Sequence, residues 1–186
     1  MLLRQTFFAW LPTAILVTVL AGLVYVTAQQ SLRQTANDRP QQLAEDVTAQ
    51  LMNGNSLPAA ATVNVGTSLA PFFVVYDANG QAIGGTGILN GSLATPPAGV
   101  FVAAKTNSID RVTWQPQPGV RIASVTIYHD GATPGYVLAG QSLRLTEQHE
   151  DQALNLSMLG WFVALIGSFF AEGLHQGMLA SVKQRQ

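Results

Sequence analysis

The chain contains no cysteine, and only 10% of its 186 residues are charged, against 48% hydrophobic. The first absence excludes a disulfide framework, so any part outside a membrane is held by its core alone. The second departs from the roughly 25% charge of an ordinary soluble domain and points to lipid. Three histidines leave little for metal or proton chemistry. There is no Gly-x-Ser-x-Gly elbow, no phosphate loop and no His-Glu-x-x-His, so the sequence offers no catalytic residue, no metal set and no cofactor motif.

What is present is two long uncharged runs. Residues 7–28, FFAWLPTAILVTVLAGLVYVTA, number 22 and span about 33 Å as a helix. Residues 153–171, ALNLSMLGWFVALIGSFFA, number 19 and reach about 28 Å. A cleaved signal peptide is the rival reading of the first run, with Arg4 as its basic end and Val26-Thr27-Ala28 at the cleavage position. The run exceeds the usual apolar length of about 7–15 residues, and its helical pattern continues past Ala28, which favours a retained anchor.

Charge at the flanks sets the expected orientation. Arg4 at one end, and Lys183 with Arg185 at the other, contrast with Glu147, Glu150 and Asp151 just before the second run. The expectation is a two-pass protein of the bacterial plasma (inner) membrane. Residues 1–6 and 172–186 are then cytoplasmic, 7–28 and 153–171 are the transmembrane helices, and 29–152 is extracytoplasmic. The outer segment carries six basic and nine acidic residues, a net of −3, so nothing in it suggests nucleic acid. Only 15 residues follow Ala171, too few for an output domain, so the expected signal recipient is another chain.

Both spans carry small residues at four-residue steps: Ala14, Thr18 and Gly22 in the first, Gly160, Ala164 and Ser168 in the second. Such faces allow helices to approach closely. The expected partners are therefore the lipid bilayer and a membrane-protein partner or a second copy.

Within the outer segment, Leu32, Ala36, Leu43, Val47 and Leu51 recur at helical steps. This predicts a stalk that bends near residue 38, capped by Asn37 or Asp38 and ended by Asn53-Gly54. Residues 55–71 have little periodicity. FFVVY, the turn DANG and a glycine-loosened return over 81–87 predict a hairpin. Residues 100–105 predict a short helix, DRVTWQ and VRIASVTIYH a second hairpin about PQPG, and GYVLAGQSL a fifth strand. Helix then resumes at Arg144.

This order of a span, long helix, two strands, short helix, three antiparallel strands, helix and span resembles the extracytoplasmic sensor domains of the single Cache type, which are PAS-like. The resemblance covers about residues 29–150 and rests on topology and on the VVYDANG opening. The chain is also similar to two-span bacterial membrane proteins with RQTAND, LAEDV and RVTWQPQPGVR stretches, a likeness that carries no activity. The expected fold class is α+β, a PAS/Cache-like antiparallel sheet with a long N-terminal helix, flanked by two transmembrane helices. The resemblance implies a ligand over the central sheet, gripped by Tyr76, Trp114, Arg121, Tyr128 and Tyr136, with Arg121 placed to hold a carboxylate. The fifth strand lacks the acidic residue that often holds a ligand amine in that family.

Other constellations have plainer readings. Asp77 with Asn79 supplies too few oxygens for calcium and suits a turn. Glu147, His149, Glu150 and Asp151 suit a solvated juxtamembrane helix, and Glu172 with His175 an interfacial pair. The functional expectation is a membrane-anchored extracytoplasmic sensor subunit that responds to a small solute or partner and is not an enzyme. The alternative is an accessory or assembly protein of a membrane complex.

Overall fold

The computed structural model of the chain describes residues 2–131 and 133–183, side chains at 2, 3, 33, 180 and 183 excepted. Arg185 and the Lys183 side chain, both part of the basic C-terminal flank, lie outside the described residues. The protein is α+β and divides into two compact units, one of Met1–Ser31 with His149–Gln186 and the other Leu32–Gln148.

The first unit is formed by helices α1 (Leu2–Thr35) and α4 (Arg144–Lys183). Both contain a segment long and apolar enough to cross a bilayer, Arg4–Leu32 and Arg144–Leu179. Their surface is the reverse of a soluble helix pair. Large apolar side chains such as Phe8, Leu16, Val24, Leu156, Phe162 and Phe170 face outward. Thr6, Trp10, Ala14, Val17, Ala21 and Tyr25 of α1, and Ser157, Trp161, Leu165, Ser168 and Phe169 of α4, are among the covered positions. Polar groups, indoles and several small residues inside, with bulky hydrocarbon outside, is the distribution a lipid surround favours.

In the second unit, α2 (Asp38–Met52) begins after a break at 36–37, close to the expected bend, with Pro40 in its first turn. Asn37 is the N-cap residue, but its backbone is helical and its side chain makes no capping bond. The far end closes as expected, with Gly54 at φ +75° and the Asn55 N–H donating to the Gln50 carbonyl at 3.0 Å.

The main sheet has five strands: β2 (Phe72–Asp77), β3 (Ala82–Gly85), β6 (Ile109–Gln117), β7 (Val120–His129) and β8 (Gly135–Ser142). Their order is β3-β2-β8-β7-β6, and every pairing is antiparallel. The β2–β3 turn is held by the Asp77 carboxylate, which accepts from the Asn79 N–H at 2.9 Å and the Gln81 N–H at 2.8 Å, with Gly80 at φ +78°. Helix α3 (Ala98–Asn107) precedes β6, as the prolines ahead of it suggest.

Two expectations need correction. The stretch 55–71 contains a short strand, β1 (Val63–Asn64), and the return run 81–87 is not one strand. It divides at Thr86 into β3 and β4 (Gly87–Leu89), and β4 lies in a second sheet between β1, in parallel pairing, and β5 (Ser92–Leu93). The cause is Gly85, at φ +148°, where a Cβ would lie 2.4 Å from the Phe73 carbonyl oxygen. Only glycine permits that departure from the sheet.

The main sheet is covered on both faces, which is why β2 and β8 are nearly continuous apolar runs. On one face Phe72, Val74, Tyr76, Trp114, Ile122, Tyr136 and Leu138 form a core with Ala104 of α3 and with Val65 and Ala94. On the other, Phe73, Val75, Val125, Val137 and Ala139 pack against Ala44 and Val47 of α2.

Candidate functional site

The strand register decides which candidate residues meet. Tyr76 on β2 is opposite Tyr136 on β8, which is opposite Tyr128 on β7, so the three tyrosines form one cross-strand row on the α3 face. Phe101 of α3 inserts among them, with its ring centroid 4.9 Å from that of Tyr76 and 5.0 Å from that of Tyr136. Tyr128 is 5.3 Å from Tyr136, and Lys105, one helical turn after Phe101, places its ammonium 5.9 Å over the Tyr128 ring. The Tyr76 hydroxyl donates to the Ala94 carbonyl. Burial pushes its pKa upward, so it is a fixed donor rather than an acid.

Trp114 shares this face, but its cross-strand partner is Ile122, six residues from Tyr128 along β7 and about 20 Å away. It lies at the opposite end of the layer from the tyrosines. Its indole nitrogen and the hydroxyl of Thr126 on the same face are buried with no hydrogen-bond partner among the described residues.

Arg121 does not join the aromatic group. Strand side chains alternate in direction, and Val120 and Ile122 on either side of it enter the α3-face core, so Arg121 emerges on the other face. There it pairs with Glu147 at 2.7 Å, with both side chains substantially exposed. Glu147 thus serves an ion pair rather than a free acidic cluster. Phe101 and Lys105 are the participants missed in the sequence. Their signal is the spacing of four after the prolines, which puts both on one side of α3.

The helix-packing candidates also divide. The Trp10 indole N–H donates to the Ser168 hydroxyl at 2.8 Å, and the Trp161 indole N–H donates to the Thr18 hydroxyl at 3.0 Å. Each helix therefore gives one indole and receives one, and Trp10 adds an edge-on contact to Phe169 at 5.4 Å. Ala14 is buried between them. Gly22, Gly160 and Ala164 are not in the close contact: a Cβ at Gly22 or Gly160 would meet nothing within 4 Å, and Ala164 is exposed. Gly160 and Ala164 line an apolar groove of about 490 Å³ beside the seam, and Gly22 lines another of about 230 Å³. The physical reason is the period. The covered positions of α1 step by four, four and three from Thr6 through Ala28, an eleven-residue repeat, so a stripe of strict four-residue steps drifts off the seam.

Two groups in the outer unit have displaced pKa values. The Gln81 N–H foremost holds Asp77 below the usual carboxylate range, opposed by desolvation and aided further by the donors of Asn79 and Gly80. Burial lowers the His129 imidazole, partly offset by the charge of Asp130. Compared with known proteins, the chain matches no protein-family model, and neither a curated protein nor a solved structure is found to be similar to it.

Proposed function

We propose that the protein is a membrane-anchored extracytoplasmic sensor subunit of the PAS-like, single Cache type, which responds to a small solute or partner and passes the response through its two spans to a partner chain. The observation that carries the reading is the sheet: two strands before α3 and three after it join in one antiparallel sheet, with the first of the five beside the last. Apolar helices on both sides of that domain in the chain support an anchored module. Arg4, Lys183 and Arg185, against the acidic residues ahead of the second span, support cytoplasmic termini. On this reading the α3 face, with Tyr76, Tyr128 and Tyr136, is the sensing surface, and no step of catalysis is involved.

One observation favours the second reading, an accessory or assembly protein. Phe101 already fills the space over Tyr76 and Tyr136, so a solute enters only if α3 shifts. Copurification from native membranes in mild detergent separates the two. A kinase or other signalling partner supports sensing. A transporter or secretion complex, with no signalling protein, overturns it in favour of assembly.

A further inference from the structure

The α2 face of the outer unit carries a groove that the aromatic row does not use. Leu43, Asp46, Val47 and Gln50 of α2 line it on one side, Pro58, Ala61 and Val63 on the other, and Phe73 of β2 contributes from the sheet. Its volume is about 280 Å³. That is slightly under the roughly 300–1,000 Å³ of sites for drug-sized ligands, and too small for a peptide or helix.

The polar content of this groove is specific. Asp46 and Gln50 stand one helical turn apart. Neither side chain has a hydrogen-bond or ion-pair partner among the described residues. The contrast lies one residue away, where Glu45 accepts from the Gln41 amide at 2.8 Å. Asp46 therefore presents an unmatched carboxylate beside an apolar lining, in a segment whose net charge is −3. An anion is repelled there, and a neutral molecule leaves the carboxylate unused.

We propose that this groove binds a small molecule with an apolar body and a single protonated amine, the ammonium against Asp46 and the hydrocarbon against Leu43, Val47 and Phe73. Because Asp46 is solvent-exposed, its ion pair is screened and contributes discrimination more than affinity. The apolar contact supplies most of the binding. The assignment goes beyond the sensor reading and does not depend on it, since binding here requires neither a shift of α3 nor a signalling partner.

The test is calorimetric titration of the full chain in phosphatidylcholine nanodiscs with benzylamine, benzyl alcohol and benzoate, after subtraction of empty nanodiscs. Benzylamine is expected to saturate, benzyl alcohol to bind about threefold more weakly, as an exposed ion pair allows, and benzoate more weakly still. Asp46→Asn is expected to weaken benzylamine about threefold, to the level of benzyl alcohol, and leave benzyl alcohol unchanged. Ala61→Trp, which fills the groove from an exposed position, is expected to abolish both. Benzylamine that fails to saturate the native chain, or that keeps its affinity in Asp46→Asn, overturns the assignment. Binding that persists in Ala61→Trp places the ligand elsewhere and overturns it equally. A failed search for a signalling partner leaves all of these outcomes unaffected.

Discussion

Trp10 and Ser168 are joined by an indole-to-hydroxyl hydrogen bond of 2.8 Å between α1 and α4. The Trp161 to Thr18 bond repeats it in the opposite sense. Bonds of this kind in membranes contribute about 0.6–1.7 kcal/mol each. Trp10→Phe and Trp161→Phe are expected to weaken the helix pair by that amount and Gly160→Ile hardly at all, because the Gly160 position opens on empty space. Disulfide crosslinking between cysteines placed in α1 and α4, measured across a detergent titration, checks this. A loss with Gly160→Ile equal to the tryptophan losses refutes the seam.

Phe101 is the plug of the aromatic row. Truncation to alanine removes its contacts with Tyr76 and Tyr136 and is expected to cost about 2–3 kcal/mol, below a fully buried phenylalanine because the ring is only partly covered. The thermal midpoint of the outer unit should fall. The vacated space should accept indole, which is expected to restore part of the loss in Phe101→Ala and to leave the native chain unaffected.

Arg121 and Glu147 form an exposed pair, 52% and 42% accessible, which salt screens. Arg121→Met is expected to change stability by less than about 1 kcal/mol, with the difference vanishing in 1 M salt. It should also leave any ligand bound over the tyrosines undisturbed. A large loss of such binding in Arg121→Met would mean that the residue reaches the α3 face after all.

Acid should act in two stages. His129 has a lowered pKa in the fold, so as pH falls the unfolded chain takes up its proton first, near 6.5, and the contribution of the neutral imidazole is lost from there down to the folded value. Asp77 behaves the same way further down, where stability present above about 3.8 is lost as pH passes its depressed value. Urea unfolding of the full chain between pH 7 and pH 3 should show the upper step and the onset of the lower one. His129→Gln should remove the upper step alone.

The elements legible in the sequence were those fixed by local chemistry. DANG with apolar runs on both sides specifies its own hairpin, and Asn53-Gly54 its own helix end, because the deciding interactions lie within a few residues. The site was less legible. Arg121 and Tyr128 are seven positions apart on one strand, an odd number, so the two-residue period alone separates their faces. The pairing of β1 with β4 carried no signal, since two residues against three depend on contacts formed by the whole fold.

Thr86 ties the two sheets of the outer unit together. One residue separates strands of different sheets, and it bonds to both: its N–H donates to the Phe73 carbonyl at 2.8 Å, its hydroxyl accepts from the Phe73 N–H at 3.1 Å, and its carbonyl accepts from the Val63 N–H at 2.7 Å. Neither sheet can open without releasing this shared residue. The segment carrying Val63 is therefore not expected to melt on its own as a lid, and the amides of Val63, Phe73 and Thr86 are expected to share one opening free energy in hydrogen exchange.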